Sequence, residues 1–163
     1  MLHYLHPDPL GEMPNSTLPL IVAKGAVDPN LSENAVHDLL LSHGWVGTWT
    51  YTVYDYWHYH AAGHEVLVCL SGHAHLGFGG DSGEEVEMKP GDAVIIPAGI
   101  GHKRLSGSPD FQVVGAYPPG QNGAITRAGA MALVVASRAI GQLALPTTDP
   151  LSGEEPGRLA AWR

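Results

Sequence analysis

Along most of this chain, apolar and polar positions change over in short runs closed by glycine or proline. Trp49 to Tyr54 is rich in aromatic and β-branched residues, a composition that suits a pleated strand. Glu65 to Leu70 is almost continuously apolar, as expected of a strand buried on both faces. Gly77 to Gly83 contains a Gly-Gly-Asp-Ser-Gly turn, Glu84 to Met88 forms a strand, Lys89-Pro-Gly-Asp92 turns, and Ala93 to Ile96 returns. Gln112 to Tyr117 completes the set. Strands at intervals of about ten residues with glycine-rich turns predict a β-sandwich or barrel.

The flanks read differently. Prolines 7, 9, 14 and 19 block regular helix over residues 1–19 and predict an extended arm. Leu20 to Ala23 is a short apolar strand candidate. Asn30 followed by Glu33 reads as a helix start with a capping box. Val36, Leu39, Leu40 and His43 then share one helical face, and Gly44 ends the helix. That helix packs on the outside of the barrel. After Tyr117, Pro118-Pro-Gly-Gln-Asn-Gly123 breaks the pattern. Thr126 to Ile140 is a helix candidate with Gly129 counting against it. Leu143-Ala-Leu145 is a possible strand, and the proline-containing tail to Arg163 reads as a surface extension.

With 163 residues and 44% hydrophobic content, the chain suits one domain, residues 1–163. Its core barrel runs over about 45–117, between an N-terminal arm and helix (1–44) and a C-terminal extension (118–163). A formal net charge of -8 removes the basic footprint that a nucleic-acid or anionic-membrane partner requires. No apolar run approaches the roughly 18 residues that span a bilayer. The first residues lack a basic region followed by an apolar core. One cysteine, Cys69, excludes an intrachain disulfide and fits a reducing compartment. A cytoplasmic protein is the expectation, and Cys69 in its apolar strand is a small core residue.

The chemistry concentrates between His58 and His102. His58 and His60 are separated by one residue, so a strand sends both rings to one face. His102 follows Pro97-x-Gly99 and supplies a third imidazole, and Glu65 an anionic oxygen. Three imidazoles and one carboxylate are a common donor set for a divalent first-row transition metal such as Fe, Mn, Ni or Zn. His64 is the rival of Glu65: adjacent strand residues face opposite ways, so only one of them reaches the site. The other points outward or donates a hydrogen bond that orients a ligand. His73 and His75 repeat the His-x-His spacing but lack a partner turn, and read as barrel or rim residues, with one of them a secondary candidate for the cavity lining. His3, His6, His37 and His43 lie in the arm and helix and carry no site.

Around the first pair stand Tyr51, Tyr54, Tyr56, Trp57 and Tyr59. They fill a barrel interior or a dimer face, unless one phenol reaches the pocket as a donor to substrate. Lys103 and Arg104 either hold an anionic substrate at the mouth or are solvated strand residues. Gln112 is a further candidate polar group of the pocket. Phosphate-loop, dinucleotide-loop and serine-hydrolase motifs are absent, and Ser106-Gly107-Ser108 reads as a turn.

Two spacings carry a family resemblance. His58-x-His60, four residues, Glu65, six residues and Gly72 form the first; Gly91, five residues, Pro97-x-Gly99, two residues and His102 form the second. Together they resemble the two motifs of the cupin superfamily, and the six residues before Gly72 favour Glu65 over His64. Tyr54-Asp55, His64-Glu-Val-Leu67, Gly44-Trp45 with Trp49, Gly101-His102, Tyr117-Pro-Pro-Gly-Gln121 and Thr148-Asp-Pro150 are similar to a small bacterial family labelled YjlB-like. The resemblance implies an all-β double-stranded β-helix, the jelly-roll barrel of cupins, with one or two peripheral α-helices. It also implies a homodimer and metal held by His58, His60, Glu65 and His102. It does not name a reaction, because fold membership leaves function open. A metal-dependent enzyme on a small molecule, of dioxygenase, isomerase or lyase type, is one reading; a non-catalytic small-molecule binding or sensing module is the other.

Overall fold

A computed structural model describes residues 1–163. In chain order the elements are β1 (Leu2–His3), β2 (Leu20–Ala23), α1 (Glu33–Ser42), β3 (Val46–Tyr51), β4 (His58–His60), β5 (Glu65–Ser71), β6 (Ala74–Phe78) and β7 (Glu84–Met88). They continue with β8 (Ala93–Ile96), β9 (His102–Gly107), β10 (Gln112–Tyr117), β11 (Ile125–Arg127), α2 (Leu133–Gly141) and a 3-10 turn over Gly157–Trp162. Two antiparallel sheets result, in strand orders β1-β2-β8-β5-β10-β3 and β11-β4-β9-β6-β7. Their facing sides enclose one core, to which Leu67, Val94 and Val113 come from the larger sheet and Leu76, Phe78 and Met88 from the smaller. This is the expected jelly roll.

The larger sheet is buried on its other face as well, which explains why β5 reads as an unbroken apolar run. Val66, Val68, Ile95 and Ala116 pack there against Val36 and Leu40 of α1, and against Trp45, Leu159 and Trp162. The C-terminal segment is therefore not the surface extension its composition suggests. Trp162 is buried and donates its Nε1–H to the Pro19 carbonyl at 2.9 Å. Fully burying a large apolar side chain contributes roughly 1.5–3 kcal/mol, enough to hold the tail down.

Several other expectations need correction. The α1 N-cap is Ser32, whose side chain accepts from the Ala35 amide, so the cap lies two residues beyond Asn30 and the helix begins at Glu33. β3 covers Val46–Tyr51 rather than Trp49–Tyr54, because its pairing with β10 ends at Tyr51 opposite Val113. Residues 125–127 form β11 and not the start of a helix, since they pair with β4 along its free edge; the helix is confined to Leu133–Gly141. Leu143–Leu145 pairs with no strand; the Ala144 carbonyl instead accepts from the Gln121 side chain at 2.8 Å. Ser106 and Gly107 belong to β9, opposite His75 and Ala74 of β6.

Candidate metal centre

Strand pairing brings the two histidine motifs together. His58 on β4 lies directly opposite His102 on β9. The Pro97–Gly99 turn is tied to β4 by the Gly99 amide, which donates to the His60 carbonyl at 2.9 Å. Only glycine serves at position 99: φ is +96°, and a Cβ would stand 2.4 Å from the Asn15 carbonyl oxygen. His58, His60 and His102 are all buried, and one ring nitrogen of each lies within 4.8 Å of the others.

Each ring is oriented in the same way. Nδ1 of His58, His60 and His102 faces the carbonyls of Tyr56, Ala124 and Ile100 at 2.9, 3.2 and 3.0 Å. A carbonyl only accepts, so Nδ1 carries the proton in each and Nε2 is the nitrogen left for the centre. Glu65 approaches from the side of His60 and His102, its Oε1 3.2 Å from His60 Nε2 and 3.6 Å from His102 Nε2. Burial lowers the pKa of His58. Burial, with the neighbouring His58 and His60, holds His102 well below the usual histidine range. Burial works in the same direction at His60, but the charge and hydrogen bond of Glu65 outweigh it and raise that ring.

Glu65 and His64 separate as adjacent strand residues must. Glu65 shares its strand parity with Leu67 and Cys69, which belong to the core between the sheets. His64 is buried on the opposite side, where its Nδ1 accepts from the Ala98 amide at 2.9 Å and its ring lies 5.0 Å from that of Trp162. It points away from the cluster without reaching solvent, and its recorded hydrogen bonds go to Ala98 and, through its own amide, to Gln121 rather than to any of the four.

The cluster forms the floor of a cavity of about 270 Å³. Tyr51 and Tyr54 line it, whereas Tyr56, Trp57 and Tyr59 do not. Tyr56 instead carries the Arg127 guanidinium at 3.8 Å from its ring centroid. His73, His75 and Gln112 are exposed and outside the cavity. Lys103 sits 6.0 Å from the Trp57 ring centroid, and Arg104 donates Nε–H to the Val53 carbonyl at 3.0 Å. Neither lines the pocket. Cys69 is a buried core residue whose thiol is pushed up to about 12, chiefly by burial.

Among the cavity residues that the sequence did not mark as site residues are Tyr117 and Trp49, which are joined to each other. Trp49 Nε1 donates to the Tyr117 hydroxyl at 2.7 Å. Burial and the neighbouring Glu65 carboxylate together raise the Tyr117 pKa far above the ordinary phenol value. A Cβ at Gly123 would fall 1.9 Å from the Tyr117 hydroxyl, so glycine there clears its place. The available signal was parity, since Tyr117 alternates with Gly115 and the core residue Val113.

An antiparallel barrel with three histidines and a glutamate at one cavity floor is the architecture of a cupin. The Cupin domain family model matches residues 48–108. The chain is 42% identical over 161 residues to the uncharacterized protein YjlB of Bacillus subtilis (strain 168), covering 98% of this chain and 94% of that one. It belongs to the YjlB-like family of cupins. Among solved structures it is similar to a DUF861 family protein from Thermotoga maritima (17% identity, 59% of this chain and 96% of that chain, TM-score 0.36). It is also similar to an acireductone dioxygenase from Bacillus anthracis with a cadmium ion in its active centre (16% identity, 63% and 80%, TM-score 0.39). Scores this low say nothing of activity.

Proposed function

We propose that His58, His60 and His102 hold one divalent transition metal through Nε2, with Glu65 as the anionic donor, and that the cavity above presents a small molecule to it. The observation that carries this reading is the shared orientation of the rings: three buried imidazoles have Nδ1 against a carbonyl and Nε2 turned inward. Carbonyl partners of this kind fix tautomer and ring direction in metal-binding histidines. The donor set suits Fe, Mn, Ni or Zn and does not choose among them.

When bound, such a metal supplies a Lewis acid or, if iron, a redox centre at the cavity floor. The chain's own residues do the rest. Tyr117, braced by Trp49, stands beside the Glu65 carboxylate, Tyr51 and Tyr54 flank the way in, and Val53 and Leu67 keep the walls apolar. We read this as a metal-dependent enzyme of a small-molecule substrate. Residues 1–44 and 118–163 close the barrel as parts of one cupin unit, which we place as a homodimer in the cytoplasm on the family likeness. No helix is long and apolar enough to cross a membrane.

A non-catalytic binding module has one observation in its favour. The Tyr117 hydroxyl, a natural proton carrier, is already engaged by Trp49 beside the Glu65 carboxylate. Metal analysis of protein purified without chelator tests the metal premise: about one equivalent is expected in the natural protein and none in His58→Ala. A natural protein that arrives metal-free and takes up no added metal ends the enzyme reading and leaves the binding module. Turnover by the loaded protein of any ligand that stabilises it then favours the enzyme.

A further inference from the structure

The walls of the His58 cavity carry charge at one end only. At the floor, a divalent ion held by His58, His60, His102 and Glu65 would keep net positive charge against that single carboxylate, a charge that would suit one anionic oxygen of a ligand. Above it, Trp49 and Tyr117 have committed their polar atoms to each other beside the Glu65 carboxylate. Val53 and Leu67 add apolar wall, Thr52 adds a neutral hydroxyl residue, and at the mouth Tyr51 and Ile125 are 55% and 41% exposed. No lysine or arginine lines the cavity. The nearest basic side chains stand outside it: Lys103 over Trp57, Arg104 on the Val53 carbonyl, and Arg127, opposite His58 on β11, held over the Tyr56 ring rather than in the cavity. At about 270 Å³ the space is smaller than the roughly 300–1,000 Å³ of sites for drug-sized ligands.

We infer that this cavity selects a small molecule with one oxygen-donor end and an uncharged, flat or apolar body leading out past Tyr51 and Ile125. Molecules bearing a second anionic group at the far end, such as linear dicarboxylates, are rejected. The inference rests on the metal reading above. A carboxylate at the mouth would exchange water for aromatic and aliphatic surface without gaining a cationic partner. A ring or methyl group in the same place buries apolar area and meets the aromatic walls favourably.

The test uses the full chain loaded with cobalt(II), whose visible absorption reports ligand binding at the metal. The probes are 4-methylbenzoate and benzene-1,4-dicarboxylate, which share the ring and the metal-binding carboxylate and differ in charge at the far end. The monocarboxylate is expected to bind at least about tenfold more tightly, the scale of one uncompensated charge at a partly exposed site. Tyr51→Arg, at an exposed position, is expected to reduce that ratio to about twofold or invert it by supplying the missing cation. Equal or tighter binding of the dicarboxylate to the natural protein overturns the inference. So does an unchanged ratio in Tyr51→Arg, or no response to either probe in cobalt-loaded protein. A natural chain that takes up no cobalt, or a His58→Ala variant that loads equally well, fails the metal reading itself and is distinguishable at the loading step.

Discussion

The His58 cluster and the Asp149 cluster are both buried, both polar and both held by backbone hydrogen bonds, yet they end differently. Asp149 is fully buried and closed on itself: Oδ1 accepts from the Leu151 and Ser152 amides, and Oδ2 from the Arg158 amide and guanidinium at 2.9 and 3.1 Å. Burial alone would raise its pKa, but these donors and the Arg158 charge hold it below the usual carboxylate value. In the His58 cluster each ring has one satisfied nitrogen, while the other converges on a common point. A polar group that closes on itself stabilises a fold; one that is oriented and left with donor atoms facing a cavity is available for a ligand. Burial does not separate the two cases. The direction of the leftover atoms does.

Substitutions in the two clusters should therefore fail in opposite ways. The largest effect is expected for His58→Ala, which abolishes stoichiometric metal uptake while leaving the unfolding of the metal-free chain nearly unchanged, as read by metal analysis and denaturant titration. Asp149→Ala should do the reverse. It leaves three amides without their acceptor and costs about 3 kcal/mol of stability, with metal uptake intact. If Asp149→Ala loses metal without losing stability, the contrast between the clusters is wrong.

Tyr117→Phe sharpens the contrast from inside the site. It removes the hydroxyl that accepts from Trp49 beside the Glu65 carboxylate without changing the wall's shape. Loss of an outer partner of a metal ligand typically costs about 10–100-fold in affinity, and the lower end is expected here because the three imidazoles keep their carbonyls. Competition titration against a chromogenic chelator measures it, and the cobalt spectrum should shift as Glu65 reorients. An unchanged affinity and spectrum would remove Tyr117 from the site.

What could be read from the sequence divides along physical lines. β2, β7, β8 and β10 stand between the residues their patterns predict, because apolar runs bounded by turns carry their own signal. β9 is polar and half exposed, with no alternation to reveal it, and exists through its pairing with β6. β11 follows the free edge of β4 rather than local helix propensity. Trp162 and Leu159 pack onto a sheet far away in sequence, a partnership that composition cannot express. At the site, the His58-x-His60 spacing put two rings on one face of a strand, and the motif resemblance added Glu65 and His102, which the fold brings in from β5 and β9. Tyr117 and Trp49 were not legible, since their role depends on a contact across β3 and β10.

The smallest expected effect concerns His64, where the comparison is drawn within one strand junction. Its Nδ1 accepts from Ala98, so the neutral ring carries its proton on Nε2, a buried atom with no hydrogen-bond partner. Burial pushes its pKa down to about 4 from 6.5. Between those values the unfolded chain binds a proton that the folded chain refuses, so stability falls as pH drops from about 6.5 toward about 4. His64→Asn offers an amide oxygen near the position of Nδ1, discards the unpartnered N–H and removes this titration. At pH 7 its stability should stay within about 1 kcal/mol of the natural protein, and at pH 5 the difference should move in favour of the variant. His58 and His102 titrate in both chains, so the difference between the two curves isolates His64. Parallel curves would show that the ring is protonated as readily in the fold as outside it. Metal uptake should be unaffected, and its loss in His64→Asn with retention in Glu65→Gln would exchange the roles of the two neighbours.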